Sequence, residues 1–343
     1  MTLTLLLALL AAGALILPNI GSDDDDDDKP LIRGTFENDT INGTDANEEI
    51  RGFKGDDILN GLGGNDNIFG GEDNDTISGG PGLDFVRGGP GNDTISGDGG
   101  DDRLISDRGD DRVDGGFGSD VIRGGEGNDV IFGGLDARVQ PDGSLVLNEA
   151  RADQITGEEG DDIIYVWGDG SRANGAEDDD TLIAVTGDVT LVNQAGANTN
   201  IVLANAEDDQ TTDAVVEDFD LEDDTLVLTI DYASNTTSDA YSGPAPDLVV
   251  SFQDVPGTPT QGFGTLVTVA FAPPAMAGDT NFDDVFTESE SASVFLLGLT
   301  ADQVEANLNF EAILTEDASY ADPESTIRDQ INPVLGPNAV PVS

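Results

Sequence analysis

Gly88-Gly-Pro-Gly-Asn-Asp-Thr-Ile-Ser96 and Gly124-Gly-Glu-Gly-Asn-Asp-Val-Ile-Phe132 are two of eleven nonapeptide frames that follow one another without a gap. The frames begin at residues 34, 43, 52, 61, 70, 79, 88, 97, 106, 115 and 124. Position six is acidic throughout: Asp39, Glu48, Asp57, Asp66, Asp75, Asp84, Asp93, Asp102, Asp111, Asp120 and Asp129. Position eight is aliphatic throughout, running from Ile41, Ile50 and Leu59 to Val113, Ile122 and Ile131. A fixed period of this kind defines a stacked repeat, and it outranks any reading of single elements.

Each frame reads GGxGxD followed by x-U-x, with U apolar. Three residues are too few for a helix, and out-in-out alternation is that of a strand. Two nonapeptides then make one coil, strand-loop-strand-loop, with the U residues of both faces meeting in a narrow core. The pattern predicts an all-β chain built as a parallel β-roll. Glycine at positions one, two and four lets the loop turn tightly and aim its carbonyls at one spot.

The position-six carboxylate joins those carbonyls. Several hard oxygens in one turn suit Ca²⁺, which takes six to eight of them, better than Mg²⁺ with its octahedral demand and retained waters. The same aspartates could act only as turn formers through backbone hydrogen bonds. Against that, loops two frames apart stack on one edge, which places like-charged carboxylates about 4.8 Å apart, the strand spacing. A cation between them is the remedy, so folding is expected to be coupled to metal. The candidate ligands are Asp39, Asp57, Asp66, Asp75, Asp84, Asp93, Asp102, Asp111, Asp120, Asp129, Asp162 and Asp180. Frame 43 carries Glu48 and lacks glycine at positions two and four, frame 34 has Glu37 at position four, and frame 70 has Asp73 there. The first coil is expected to bind weakly.

These frames resemble the hemolysin-type calcium-binding, or RTX, repeat family, closely over Gly34–Gly134 and faintly over Asn148–Ile183. The resemblance implies a right-handed parallel β-roll with Ca²⁺ along both edges, in secreted bacterial proteins. It also implies that the segment after the array, here Ala214–Leu228, caps the open end and helps nucleate it. Export through a type I transporter is the family's usual route, and an apolar N-terminal segment departs from it.

Composition narrows the function classes. The 343 residues hold 70 acidic and 13 basic side chains, a formal charge of −57. Nucleic acid needs Lys and Arg to neutralise phosphates, so that partner is excluded. Without Cys or His there is no disulfide, thiolate or imidazole chemistry, which removes the Ser-His-Asp and HExxH systems. The chain is therefore expected not to be an enzyme; a carboxylate-pair glycosidase remains chemically open, but no pair stands out among so many acids.

The remaining organisation is read as follows. Residues 1–20 form an apolar signal or anchor segment, with Ala12-Gly13-Ala14 as a cleavage site and residues 2–17 short for a bilayer span. Residues 21–33 form an acidic linker, and 34–134 the β-roll. Residues 135–192 hold an inserted hairpin, turning at Pro141-Asp142-Gly143, plus a worn second array marked by Asp153 with Ile155, Asp162 with Ile164 and Asp180 with Leu182. Residues 193–331 form a β-rich C-terminal capping domain, with strands at Leu226–Ile230, Leu248–Phe252, Leu266–Phe271 and Val294–Leu299 and a helix at Ala301–Phe310; residues 332–343 form a loose tail. On one outward face of the roll lie Arg51, Arg87, Arg103 and Arg123, which suggests an anionic-polysaccharide or cell-surface partner as an alternative to an ordinary outer surface. Either reading of the N-terminus places the body outside the cytoplasm, free or tethered.

Overall fold

The computed structural model describes residues 15–16, 29–134, 137–139, 145–147, 152–204, 213–231, 248–256, 263–271, 291–307 and 309–315. The N-terminal segment up to residue 14, the acidic run 23–28, the turn 141–143 and the tail 332–343 lie outside the described residues.

Each x-U-x triplet forms a strand, and each strand pairs in parallel with the strand eighteen residues on: Ile41 opposite Leu59, Ile50 opposite Ile68, Leu104 opposite Ile122. Successive triplets alternate between two sheets, so two nonapeptides complete one coil. One sheet has fourteen strands, and the other, which begins at Thr40–Asn42, has eleven. Between them the position-eight side chains form a column of buried aliphatics from Ile32 to Leu191; Asn200, opposite Leu182, then places a buried polar side chain at that position, and Val202, Leu226 and Leu228 carry the core onward. A single isoleucine or valine per frame suffices because strand alternation points only the middle residue of the triplet inward.

The turns need left-handed backbone at positions two and four. Gly71 and Gly91 supply it with φ of 139° and 149°, and Phe53 adopts 92° at position two of its frame despite its Cβ.

The insertion is looped out. Ala137–Val139 pairs antiparallel with Leu145–Leu147, and the ladder resumes after 33 residues instead of eighteen, with Ile122 opposite Ile155 and Ile131 opposite Ile164. Register is preserved because a one-residue slip would turn every core side chain to solvent.

Beyond the repeat both sheets continue. Thr190–Val192 pairs with Asp213–Glu217, and that strand with Ser291–Leu297. Thr199–Ala204 pairs with Thr225–Asp231, and that strand with Asn309–Thr315. The C-terminal region is therefore built on the edges of the roll. The parallel order ends where Gly264–Phe271 and Leu248–Val255 add antiparallel to the larger sheet. The helix expected over Ala301–Phe310 stops at Asn307, and Asn309–Thr315 is a strand instead. The unpaired backbone of Thr225–Asp231 offers a full row of partners there, which a helix could not use.

On the outer face of the smaller sheet a second cluster forms. Phe132 and Tyr165 stack at 4.6 Å with 5° between their planes, Trp167 lies 6.2 Å from Tyr165, and the Arg112 guanidinium sits 4.4 Å from the Phe132 ring.

Candidate metal centre

All the acidic position-six side chains fall at the two edges of the roll, where strand passes into strand, and all are buried. One edge carries Asp39, Asp57, Asp75, Asp93, Asp111, Asp129, Asp162 and Asp180, the other Glu48, Asp66, Asp84, Asp102, Asp120 and Asp153. Their order follows from the eighteen-residue coil.

Along each edge one carboxylate oxygen is used structurally. Beyond Asp39, Oδ1 of each aspartate accepts the backbone N–H of the position-six residue one coil earlier. Examples are Asp57 N to Asp75 Oδ1 at 2.9 Å, Asp75 N to Asp93 Oδ1 at 2.7 Å and Asp84 N to Asp102 Oδ1 at 2.8 Å. The same link spans the insertion, with Asp129 N donating to Asp162 Oδ1 at 2.8 Å.

The other oxygen has no donor in the protein. Oδ2 of Asp57, Asp66, Asp75, Asp84, Asp93, Asp102, Asp129, Asp162 and Asp180 is buried without a hydrogen bond. It faces the Cα of position one and the position-one carbonyl of the next coil. A Cβ on Gly79 would stand 2.6 Å from Asp84 Oδ2 and 3.0 Å from Gly97 O, so glycine keeps two oxygens exposed to one point. A buried carboxylate oxygen without a partner is a costly arrangement for a fold to retain.

Electrostatics agree. Burial pushes the carboxyls of Asp102 and Asp162 up to about 8, those of Asp75, Asp93, Asp129 and Asp180 up to about 7, and those of Asp84 and Asp111 up to about 6. The amide bond onto Oδ1 opposes that rise, while neighbouring carboxylates add to it. Stacked anions with unshared oxygens, set among backbone carbonyls, fit a hard divalent cation.

The ends of the rows differ. Asp39 Oδ2 accepts from Thr35 N at 2.5 Å and Thr35 Oγ1 at 2.9 Å. Glu48 accepts from Thr44 N at 3.0 Å and from the Thr44 hydroxyl. Ser171 stands where the worn array lacks its aspartate, its hydroxyl accepting from Asp153 N at 2.9 Å. Asn198 takes position six after Asp180 and accepts the Asp180 N–H at 3.0 Å.

Two further sets of residues act here. Position five forms an outer ladder of opposite sense: Asn74 Oδ1 accepts Asn92 N at 2.7 Å, and Asn92 Oδ1 accepts Asp110 N at 3.2 Å. Its signal was plain in the recurring Asn or Asp of Asn38, Asn47, Asp56, Asn65, Asn74, Asn92, Asp101, Asp110 and Asn128, with Leu83 unable to accept. Asp224 extends the first edge beyond the repeat, where no spacing points to it.

The four arginines lie on the outer face of the larger sheet. Arg51 pairs with Glu49 at 2.5 Å and lies over Phe69 at 5.6 Å. Arg103 lies over Phe85 at 5.7 Å. Arg87 binds Asp107 through both carboxylate oxygens, Arg87 Nη2 donating to Oδ1 at 3.0 Å. Among the described residues no helix is long and apolar enough to cross a membrane.

Compared with known proteins, the chain matches the RTX calcium-binding nonapeptide repeat in four copies, over residues 51–86, 78–113, 105–139 and 149–170. No curated protein matches it. Repeats of this kind bind several Ca²⁺ ions, and the buried aspartate rows fit that cation.

Proposed function

We propose that the chain, whose residues 51–170 hold these calcium-binding repeats, is a secreted or surface-displayed protein that folds on meeting extracellular Ca²⁺. One observation carries this: row after row of buried aspartate presents an Oδ2 with no donor, in a fold that packs those anions a strand apart. Bound Ca²⁺ would supply the missing positive charge. Asp57, Asp75, Asp93, Asp111, Asp129, Asp162 and Asp180 would hold it on one edge, with Asp66, Asp84, Asp102 and Asp120 on the other. The position-five side chains and Oδ1 bonds hold the loops in stack while this happens. Extracellular calcium modules work at about 10⁻⁴ to 10⁻³ M, so the array would stay extended inside a cell and close outside. Its role in this reading is binding rather than catalysis: the chain lacks His and Cys, and no carboxylate pair stands out among its many acids.

The test is a Ca²⁺ titration of the full chain followed by circular dichroism and calorimetry. β-signal arising cooperatively near millimolar Ca²⁺ supports the proposal, and a flat titration refutes it. Protein recovered from the medium with a start near Leu15 favours free secretion; intact Met1 in membranes favours a tether.

A second reading concerns the arginine face. Arg51, Arg87, Arg103 and Arg123 gather most of the roll's cations beside Phe69 and Phe85, a surface suited to an acidic polysaccharide or cell-surface partner. The Glu49 and Asp107 pairs temper its charge. Replacing the four arginines with serine should abolish retention on an acidic polysaccharide column, and unchanged retention excludes this partner.

A further inference from the structure

We infer that the cation rows are closed by the chain's own donors, Thr35 and Thr44 at the start of each row and Asn193 at the far end of the row that begins at Asp39, so that ions load only inside those ends. This rests on the calcium reading above and adds to it where the rows begin and end.

The last coil makes the case most directly. In the coils before it, position one of this edge is Gly or Ser and the aspartate Oδ2 faces that residue. In the coil that starts at residue 193, position one is Asn193 and position six is Asn198, both buried. Asn193 extends towards the following loop, where its Nδ2 donates to Asp224 Oδ2 at 2.8 Å. Asp220 N donates to the same oxygen at 2.7 Å, and Asn198 N donates to Asp224 Oδ1 at 2.8 Å. Asp224 thus keeps the backbone link used by every earlier aspartate, yet its second oxygen is satisfied by two N–H groups. An amide stands where the earlier coils call for a cation. Asp180, one coil before Asn198, still has an Oδ2 without a donor.

The first coil reaches the same state by other residues. Thr35 and Thr44 occupy position two, which is glycine in frames 70, 79, 88, 115 and 124. Their backbone N–H and hydroxyl groups fold back on Asp39 and Glu48. A threonine can turn its hydroxyl to a carboxylate four residues on; glycine cannot. Three acidic groups on the two edges, Asp39, Glu48 and Asp224, are thereby satisfied without metal, Asp224 by a different donor type from the other two.

The experiment measures bound calcium per full-length chain by equilibrium dialysis in saturating Ca²⁺. Asp39→Asn, Glu48→Gln and Asp224→Asn are expected to hold as many ions as wild type, whereas Asp93→Asn and Asp102→Asn each lose at least one. Release of an ion by any of the first three overturns the inference. Asn193→Ala adds a second readout, since the melting temperature should fall by the same amount with calcium and with chelator plus sodium sulfate, which favours the compact state. A loss confined to the calcium-loaded state makes Asn193 part of an ion site and also overturns it. If wild type holds no calcium, the calcium reading itself fails, which the wild-type measurement alone reveals.

Discussion

Asp93→Asn should change stability in opposite directions with and without calcium. The Asp93 side chain is 2% exposed, and its Oδ1 accepts Asp75 N at 2.7 Å. Asparagine has the same shape and keeps that acceptor, so the substitution removes only the charge and the free oxygen. Burial pushes the Asp93 carboxyl from 3.8 up to about 7. At pH 8 holding it ionised in the metal-free fold therefore costs at most about 4 kcal/mol, and about half that once partial solvent screening is allowed for. The neutral amide of the variant is relieved of that cost. With calcium at one hundred times its dissociation constant, each ion lost removes about 2.7 kcal/mol. In calcium the same relief of about 2 kcal/mol is set against that loss, so the variant should gain about 2 kcal/mol in chelator and lose about 0.7 kcal/mol in calcium, a difference of about 2.7 kcal/mol per ion. Urea unfolding at pH 8 reads them, followed by fluorescence of Trp167, the sole tryptophan. One series uses chelator with sodium sulfate to favour the compact state, and the other uses calcium. Shifts of the same sign in both series would refute the reasoning.

The carboxyls raised by burial also set a pH response. Asp75, Asp93, Asp129 and Asp180 rise from 3.8 to about 7, and Asp102 and Asp162 to about 8. The folded state therefore takes up protons. Its stability without calcium is fully present below the unfolded value near 4 and is lost as pH rises through about 6 to 8. Circular dichroism of the chelated protein should gain β-signal on acidification from pH 8 to 5; a signal that stays flat or falls contradicts the assignment. Gly79→Ala brings a Cβ to 2.6 Å from Asp84 Oδ2 and 3.0 Å from Gly97 O, an overpacking worth about 1–3 kcal/mol. Thermal unfolding in calcium should report it, and an unchanged melting temperature would show that the loop has slack. Ile95→Ala empties part of a fully packed column at a cost of about 2–5 kcal/mol. Hydrogen exchange should locate that loss in the coils next to residue 95, because each coil touches only its neighbours; protection lost evenly along the roll would count against nearest-neighbour stacking.

Much of the fold was legible because the chain writes it as a period. Ile41 to Ile131 at nine-residue spacing predicts strand, coil and core together, and the 33-residue step across the insertion preserves them. Asp162 and Asp180 could be found by the same spacing after a gap. What spacing could not reveal is satisfaction. Asp39 has the position of a ligand, and Glu37 in its frame marks it as a weak one, but only geometry shows that Thr35 supplies the donors that Asp57 lacks. Asp224 lies in no frame because the loop before it has a different length. The strand Asn309–Thr315 was hidden for a third reason: its partner, Thr225–Asp231, is about eighty residues away, and pairing at that distance leaves no local pattern.

The two ladders at each edge run in opposite senses, position six reaching to the coil before and position five to the coil after. Every interior coil is therefore gripped from both sides, and only the terminal coils have a free side. Pulled by its ends, such a stack should come apart like a roll of tape, one turn at a time. Each turn adds only about 4.8 Å of height when wound but releases eighteen residues, about 60 Å of extended chain. On the proposed calcium-coupled folding, the ion would govern length as well as shape, since each ion holding two turns together would also hold that reserve of chain in store.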